Sequence, residues 1–264
     1  MSDHKVYRNP PIAMVAVEIR HSGTDPVTEA GYTAIRQKLR KQWPVQLPAQ
    51  EVTVDFGSSG LPPAVIEYRR FASGDRRTAI AIRPASTTVE TVDYKGWDDL
   101  RVTLRAALNV RAEVSEPSGY ERVGLRYIDE IRVPTEGDPM DWSPWVHASL
   151  LAAQPDEKVD LPQSDWLGMS HFGPADGRSL VLRYGPRKGY AVEPKGHLWR
   201  AETPAGSFFL LDLDSFWEAS GGRVPEFKPD ELTARCDDLH APVRRLFEGL
   251  ITDKLRQEVL DAKL

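Results

Sequence analysis

The chain has 264 residues, of which 41% are hydrophobic and 28% charged, a balance typical of globular proteins with a substantial core. Its net charge of −5 argues against a dedicated nucleic-acid-binding protein, which usually carries a basic domain. Cys236 is the single cysteine, so no intramolecular disulfide can form. The polar N-terminus lacks a signal-peptide core, and no apolar run approaches the roughly 20 residues of a membrane-spanning helix. We therefore expect a cytoplasmic protein with no membrane segment.

The first part of the chain predicts strands interrupted by two helices. Residues 12–20 alternate between apolar and polar positions, which is typical of a half-buried strand. Residues 27–43 place apolar side chains three or four positions apart, which predicts an amphipathic helix that Pro44 ends. A second helix is predicted to begin near Gly96. Further strands are predicted at 51–56, 65–71, 78–83 and 87–94, the middle two forming a hairpin.

The second part repeats this order of strands followed by a helix. A long strand is predicted over residues 120–133, and residues 134–144 resemble a connector. A short helix is expected within 145–153, and residues 230–260 read as mostly helical with a break near Pro242, because proline disrupts a helix interior. Further strands are predicted at 166–172, 179–184 and 207–213.

Strands in runs, with helices set apart, predict an α+β fold with antiparallel sheet. We expect two related halves, residues 1–134 and 145–264, each with an antiparallel sheet packed against helix. One continuous compact unit is the alternative. The tripeptide Asp-Asp-Leu occurs in a helical stretch of both parts, but the shared order of elements is the stronger sign of duplication.

Motifs for common chemistries are missing from the sequence. The six histidines lack the spacing of a zinc-binding helix, and one cysteine cannot build a cysteine-rich metal site. No nucleophile elbow or phosphate-binding loop occurs, and Cys236 is interpreted as an incidental small residue. Residues 184–189, Tyr-Gly-Pro-Arg-Lys-Gly, favour a solvated hairpin tip over an anion contact. We therefore predict no metal, no cofactor and no catalytic residue.

Charged residues at alternating strand positions are the best candidates for binding. Glu18 and Arg20 share one face of the first strand, and Arg126 lies on the long central strand. If these three side chains lined a cleft they would suit a carboxylate or phosphate ligand, because arginine presents a two-pronged donor. The alternative is that they face water or form structural ion pairs.

Two other functions stay open. A metal-dependent hydrolase or nuclease would use carboxylates, for which the candidates are Glu18, Glu67, Asp129 and Glu130. Residues 68–71, Tyr-Arg-Arg-Phe, combine arginines with aromatic rings as single-stranded nucleic-acid binders do. Their two arginines are expected on opposite faces of the strand, and the chain is acidic, so nucleic acid is the less favoured ligand.

Three motifs in order carry a resemblance to a known family. Residues 7–12 read Tyr-Arg-Asn-Pro-Pro-Ile, residues 124–128 read Gly-Leu-Arg-Tyr-Ile, and residues 239–253 contain Leu-His-x-x-Val followed by Phe-Glu-x-x-Ile-Thr-Asp. Together they resemble a family of uncharacterised bacterial proteins of about this length, sporadically distributed across distant bacteria. The chain departs from the family pattern at two positions. Met14 stands where a charged or polar residue is expected, and Asp129 stands where a polar residue such as asparagine is expected.

The resemblance implies an accessory role, because a patchy distribution is typical of genes carried by mobile elements or defence loci. It implies no activity. We therefore expect a binding protein, leaning away from an enzyme, that recognises a protein partner or a small anionic ligand through a sheet–helix cleft. A homodimer that forms through exposed parts of the last helix is a further alternative.

Overall fold

An antiparallel sheet runs through the protein and carries the helices on one face. The computed structural model describes residues 7–22, 27–53, 64–134, 141–152, 165–221 and 224–262. In these ranges the strands are β1 (Ile12–Ser22), β2 (Val45–Thr53), β3 (Ala64–Ala72), β4 (Thr78–Ile82), β5 (Ser86–Thr91), β6 (Gly119–Ile131), β7 (Gly168–Ala175), β8 (Arg178–Gly189) and β9 (Gly206–Glu218). The helices are α1 (Glu29–Leu39), α2 (Trp97–Ser115), α3 (Pro229–Leu250) and the single turn α4 (Asp253–Leu255).

The described strands form one sheet with β1 and β6 at its centre. The order is β2-β3-β4-β5-β1-β6-β9-β8-β7, and every pair is antiparallel. The central register places Val17 opposite Leu125 and Ala16 opposite Arg126. The prediction of an α+β fold with antiparallel sheet is confirmed, and strands from both parts of the chain join the same sheet.

The two faces of the sheet differ in what covers them. Val15, Val17 and Ile19 of β1 are fully buried and belong to the main core, where α2 contacts β5 and α3 contacts β6 and β9. We call this side the helix face. Because strand side chains alternate, Met14, Glu18 and Arg20 lie on the other side, the open face.

A segment between β8 and β9 folds over part of the open face. Its Leu198 packs with Ala72 and Ala79 in a second, small apolar cluster. Glu130 of β6 anchors the same segment through Arg200, whose two terminal nitrogens donate to the two carboxylate oxygens at 2.7 Å. The buried ion pair therefore joins the loop to the centre of the sheet.

Local signals explain where the first helix begins and ends. The Thr28 hydroxyl accepts a hydrogen bond from the Gly31 amide at 3.1 Å, which caps the N-terminus of α1. Tyr32, Ile35 and Leu39 form its buried stripe. The helix is shorter than the predicted 27–43, because the chain turns after Leu39 and enters β2 next to Pro44.

Three local predictions need correction. Pro242 lies inside α3 without a break, because the buried seam continues through Leu239 and Val243 on both sides of it. Residues 184–189 are not a hairpin tip but the end of β8, paired along its whole length with β9. Gly185 is required there, since a Cβ would lie 2.2 Å from the Trp166 carbonyl oxygen. The helix expected within 145–153 is one 3-10 turn, Ala148–Leu150.

Two predicted segments fall partly outside the described residues. The strand predicted at 51–56 is described as far as Thr53, where β2 ends, and the connector predicted at 134–144 is described at residues 134 and 141–144. Among the helices that the structure describes, none has the length and apolar character needed to cross a bilayer.

Candidate functional site

The first and last described segments of the chain meet beside the central strands. The Asn9 side-chain amide donates to the carbonyl oxygens of Val259 and Ala262 at 3.1 Å, and the Asn9 backbone amide donates to Leu260 at 2.9 Å. The Tyr7 hydroxyl donates to Glu248 of α3 at 2.7 Å. The N-terminal motif is thus held against the C-terminal helical segment.

Thr252 of the C-terminal motif has a structural role. Its hydroxyl accepts from the Leu255 amide and so caps α4, and it donates to the Pro144 carbonyl oxygen at 2.7 Å. Ile251 bridges to Val146 in the loop after β6. These contacts end α3 and fix its last turn on the core.

A cleft of about 320 Å³ opens between the helix face and the helices. It lies where the N-terminal motif, the central strand β6 and the helix α3 converge, and the start of α2 forms its far wall. The residues that line it are Tyr7, Pro10, Pro11, Ile12, Tyr94, Lys95, Gly96, Trp97, Asp98, Asp99, Tyr127, Asp129, Leu213, His240, Val243, Arg244, Phe247 and Glu248. The motif residues that are far apart in sequence therefore share one cavity.

Asp129 is the buried acid of this cleft. It is 2% exposed and lies on the helix face of β6, opposite Ile12 of β1 and Leu211 of β9. Burial raises the pKa of its carboxyl to about 8, and the nearby Asp212 carboxylate adds to the rise. No described residue donates a hydrogen bond to its side chain, so its oxygens are available to whatever occupies the cleft.

Hydrogen-bonded rings form the wall next to Asp129. The hydroxyls of Tyr94 and Tyr127 lie 3.2 Å apart, and the Tyr127 hydroxyl lies 3.0 Å from Nδ1 of His240. The His240 ring stacks on Trp97 with centroids 4.8 Å apart, and the Trp97 indole donates to Asp237 at 2.7 Å. Burial raises the pKa of Tyr127 well above its ordinary value, so this phenol stays protonated. The network holds the rings rigidly.

The charged side chains of the lining lie mainly at the rim. Asp98 and Asp99 are exposed in the first turn of α2. Lys95 lies 3.5 Å from Asp93, and Glu248 accepts from Tyr7 and from Arg256. Within this lining Asp129 is the acid that is both deeply buried and without a described donor.

The predicted trio Glu18, Arg20 and Arg126 does not line this cleft. All three lie on the open face. Arg20 donates to Glu18 at 3.1 Å, and Arg126 makes a two-pronged contact with Asp212 at 2.7 and 2.8 Å. The side chains of Arg20 and Arg126 are 58% and 46% exposed, so part of each remains accessible. A binding role for the trio stays a prediction, but it belongs to a different surface.

Arg126→Ala is expected to lower stability by about 1–3 kcal/mol, because it leaves the carboxylate of Asp212 buried with a single longer contact to Arg183. Urea unfolding would measure the loss. The matched control is Arg20→Ala, which should leave the unfolding midpoint unchanged, because Arg20 is 58% exposed and its partner Glu18 keeps Arg122 at 3.7 Å. Equal effects of both substitutions would contradict this interpretation of the Arg126–Asp212 pair.

The carboxylates proposed for metal-dependent chemistry are spread over the sheet. Asp129 faces the helices, whereas Glu130 faces the other side and is held by Arg200. Glu67 is exposed on β3, and Glu18 lies near Arg20 and Arg122. Among the described residues, no group of three or more histidine, cysteine, aspartate or glutamate side chains is placed to hold a metal ion.

The arginine–aromatic motif on β3 divides between the two faces, as predicted. Arg69 lies over the Tyr32 ring of α1, with 5.4 Å from its guanidinium carbon to the ring centroid, and Phe71 is buried in the main core. Arg70 and Tyr68 lie on the open face with Arg83, whose guanidinium carbon is 4.4 Å from the Tyr68 centroid. Arg69, Arg70 and Arg83 therefore make these contacts with other residues of the protein itself.

Sequence reasoning missed Tyr94 and Trp97. Tyr94 lies in the short turn after β5 and Trp97 begins α2, and Gly96 between them has a φ of +136°, a conformation that glycine adopts readily. The sequence signal for these residues is a pair of aromatic side chains on either side of a glycine at the start of a helix. The stacking of Trp97 on His240 depends on how α2 packs against α3, which this signal does not indicate.

No protein-family model matches the chain, and a comparison with curated proteins found no match either.

Proposed function

We propose that the protein is a non-enzymatic binding protein that takes a small organic ligand in the cleft between the sheet and helices α2 and α3. The observation that carries this proposal is Asp129, a buried acid without a described donor inside an aromatic-lined cavity. Buried polar groups are normally hydrogen-bonded, so an exception in a cavity favours a ligand that supplies the partner.

The size and lining of the cleft support a small molecule. Its volume of about 320 Å³ lies at the lower end of the range for ligand pockets, which are mostly apolar with a few convergent polar groups. The rings of Tyr94, Trp97 and Tyr127 are held by their hydrogen bonds and stacking, so the wall is formed before a ligand arrives. Preorganisation lowers the entropic cost of binding.

The hydrolase or nuclease alternative receives less support from the positions of its carboxylates. Neighbouring strand residues face opposite sides of a sheet, so Asp129 and Glu130 cannot hold one metal ion together. Glu130 and Glu18 each have arginine partners. Paired carboxylates of this kind favour structure over acid–base chemistry.

A second binding surface on the open face is proposed for a protein partner or an anionic ligand. It consists of Glu18, Arg20 and Arg126, and the accessible part of the two guanidinium groups supports it. Arginine keeps donors available after pairing with one carboxylate, because it has five N–H groups.

The order of strands supports an internal duplication. β1 is followed by helix α1, by a run of strands that returns beside it in β5, and then by helix α2. β6 is followed by a run of strands that returns beside it in β9, and then by α3. We propose that the boundary between the repeats lies between α2 and β6, earlier than the connector at 134–144. The two repeats would then join through the β1–β6 pair.

The resemblance to sporadically distributed bacterial proteins, with their link to mobile-element or defence loci, supports an accessory role. We retain a cytoplasmic location in the proposal, which the single cysteine supports. A ligand-binding accessory protein is consistent with the resemblance and with a cytoplasmic location.

Ile12→Trp should abolish ligand binding, because a larger ring at this position of the lining fills the cleft. Equilibrium dialysis of the protein against a metabolite extract of its own host, read by mass spectrometry, would measure binding. The wild-type protein is expected to enrich at least one metabolite at least tenfold over Ile12→Trp.

Val102→Trp is the matched control, since Val102 is 68% exposed on α2 and does not line the cleft, and this variant should bind as the wild-type protein does. Circular dichroism would establish that both variants are folded. Equal enrichment by wild type and folded Ile12→Trp, or no enrichment by the wild type, would contradict the proposed function.

A further inference from the structure

We propose that the cleft recognises an organic cation, an ammonium group carried on an apolar or aromatic body, with Asp129 as its counter-ion. This inference rests on the proposed function and names the class of its ligand.

The first argument is the position of the Asp129 carboxyl. Its carboxyl lies in the cavity at 2% exposure and receives no donor from the described residues. An ionised carboxylate in such a place is costly unless an opposite charge joins it. An ammonium group offers both the charge and the N–H donors, and a charge-assisted hydrogen bond is about twice as strong as a neutral one.

The second argument is the aromatic wall. The cavity is lined by the rings of Tyr7, Tyr94, Trp97, Tyr127 and Phe247. The face of an aromatic ring attracts a cation within about 6 Å, most strongly when water is excluded. The same rings, with prolines 10 and 11, provide apolar surface for the body of the ligand.

The third argument is the charge of the lining. The acids are Asp98, Asp99, Asp129 and Glu248, against the cations Lys95 and Arg244. Lys95 contacts Asp93, which partly offsets its charge. An anionic ligand would have to approach Asp129 past the exposed carboxylates of α2, whereas a cation is attracted by them.

Binding should release a proton. Because burial raises the pKa of Asp129 to about 8, most of the empty protein holds this proton at pH 7. A bound ammonium group favours the ionised carboxylate, so the proton leaves as the ligand enters and affinity rises with pH up to about 8. The other charged and titratable groups that face the site or act on Asp129 are Tyr7, Tyr94, Lys95, Asp98, Asp99, Tyr127, Asp212, His240, Arg244 and Glu248.

Isothermal titration calorimetry with three probes of similar shape tests the inference: benzylamine, which is protonated at pH 7, benzyl alcohol and benzoate. The wild-type protein is expected to bind benzylamine about tenfold more tightly than benzyl alcohol and to bind benzoate most weakly. Titrations in buffers with different ionisation enthalpies should show close to one proton released per benzylamine.

Asp129→Asn should lose both the preference for benzylamine and the proton release. If the release came from His240 instead, it would persist in this variant, and the assignment to Asp129 would be wrong. If benzyl alcohol or benzoate binds as tightly as benzylamine, the cleft does not select a cation and this inference is wrong. The proposed function still stands in that case, provided that Ile12→Trp loses all binding. If none of the three probes binds, the inference of a cationic ligand is also wrong. The enrichment of host metabolites then tests the proposed function independently.

Discussion

Asp129→Asn is expected to make the protein more stable above pH 8 and less sensitive to pH between about 4 and 8. The ordinary pKa of this carboxyl is 3.8, and its pKa in the folded protein is about 8. Between these values the folded state holds the proton and the unfolded state does not, so stability falls as pH rises. At about 1.4 kcal/mol per pKa unit, the difference between the two pKa values lowers stability by roughly 6 kcal/mol once the pH exceeds 8.

Asparagine cannot ionise, so the variant should keep its stability at high pH. Urea unfolding at pH 5, 7 and 9 would measure the effect, with Asp176→Asn as the control at an exposed carboxylate. The control should follow the wild-type curve. If the stability of the wild-type protein rises from pH 5 to pH 9 in parallel with that of Asp129→Asn, Asp129 ionises freely in the folded state and the prediction is wrong.

Glu130→Ala is expected to destabilise the protein by about 3–5 kcal/mol, because it removes the common partner of two arginines. The Glu130 side chain is 2% exposed and the Arg200 side chain 9%. Glu130 also accepts from Arg132 at 2.9 Å and from the backbone amide of Ala191 at 2.8 Å. Although burial opposes ionisation of Glu130, the hydrogen bonds from Arg200 and Arg132 lower its pKa.

The loss of this pair should also release the segment that covers the open face. Hydrogen exchange is expected to increase in the described residues between β8 and β9, in addition to the lower urea midpoint. The control is Glu202→Ala, because Glu202 forms an exposed ion pair with Lys195 in the same segment and should leave the midpoint unchanged. Equal midpoints for Glu130→Ala and the wild type would show that packing of Leu198 alone holds the segment.

The candidate site was partly accessible to sequence reasoning. Residues of all three motifs, at the two ends and in the centre of the chain, line the cleft. The choice of Glu18, Arg20 and Arg126 led to another surface. These charges alternate with Val15, Val17 and Ile19, and because the apolar side of a strand packs against the helices, the charged side faces away from them.

The sequence by itself determined the α+β class, most strands and the three main helices, because local periodicity reports directly which side chains are buried. Only the tertiary structure decided that β1 and β6 join the strands into one sheet, and that Tyr7, Asp129 and His240 share a cleft. Those contacts connect residues about 100 or more positions apart, and local sequence patterns do not indicate which distant surfaces pack together. That no described residue donates a hydrogen bond to Asp129 is likewise a property of its surroundings, which form only when α2 and α3 pack over the sheet.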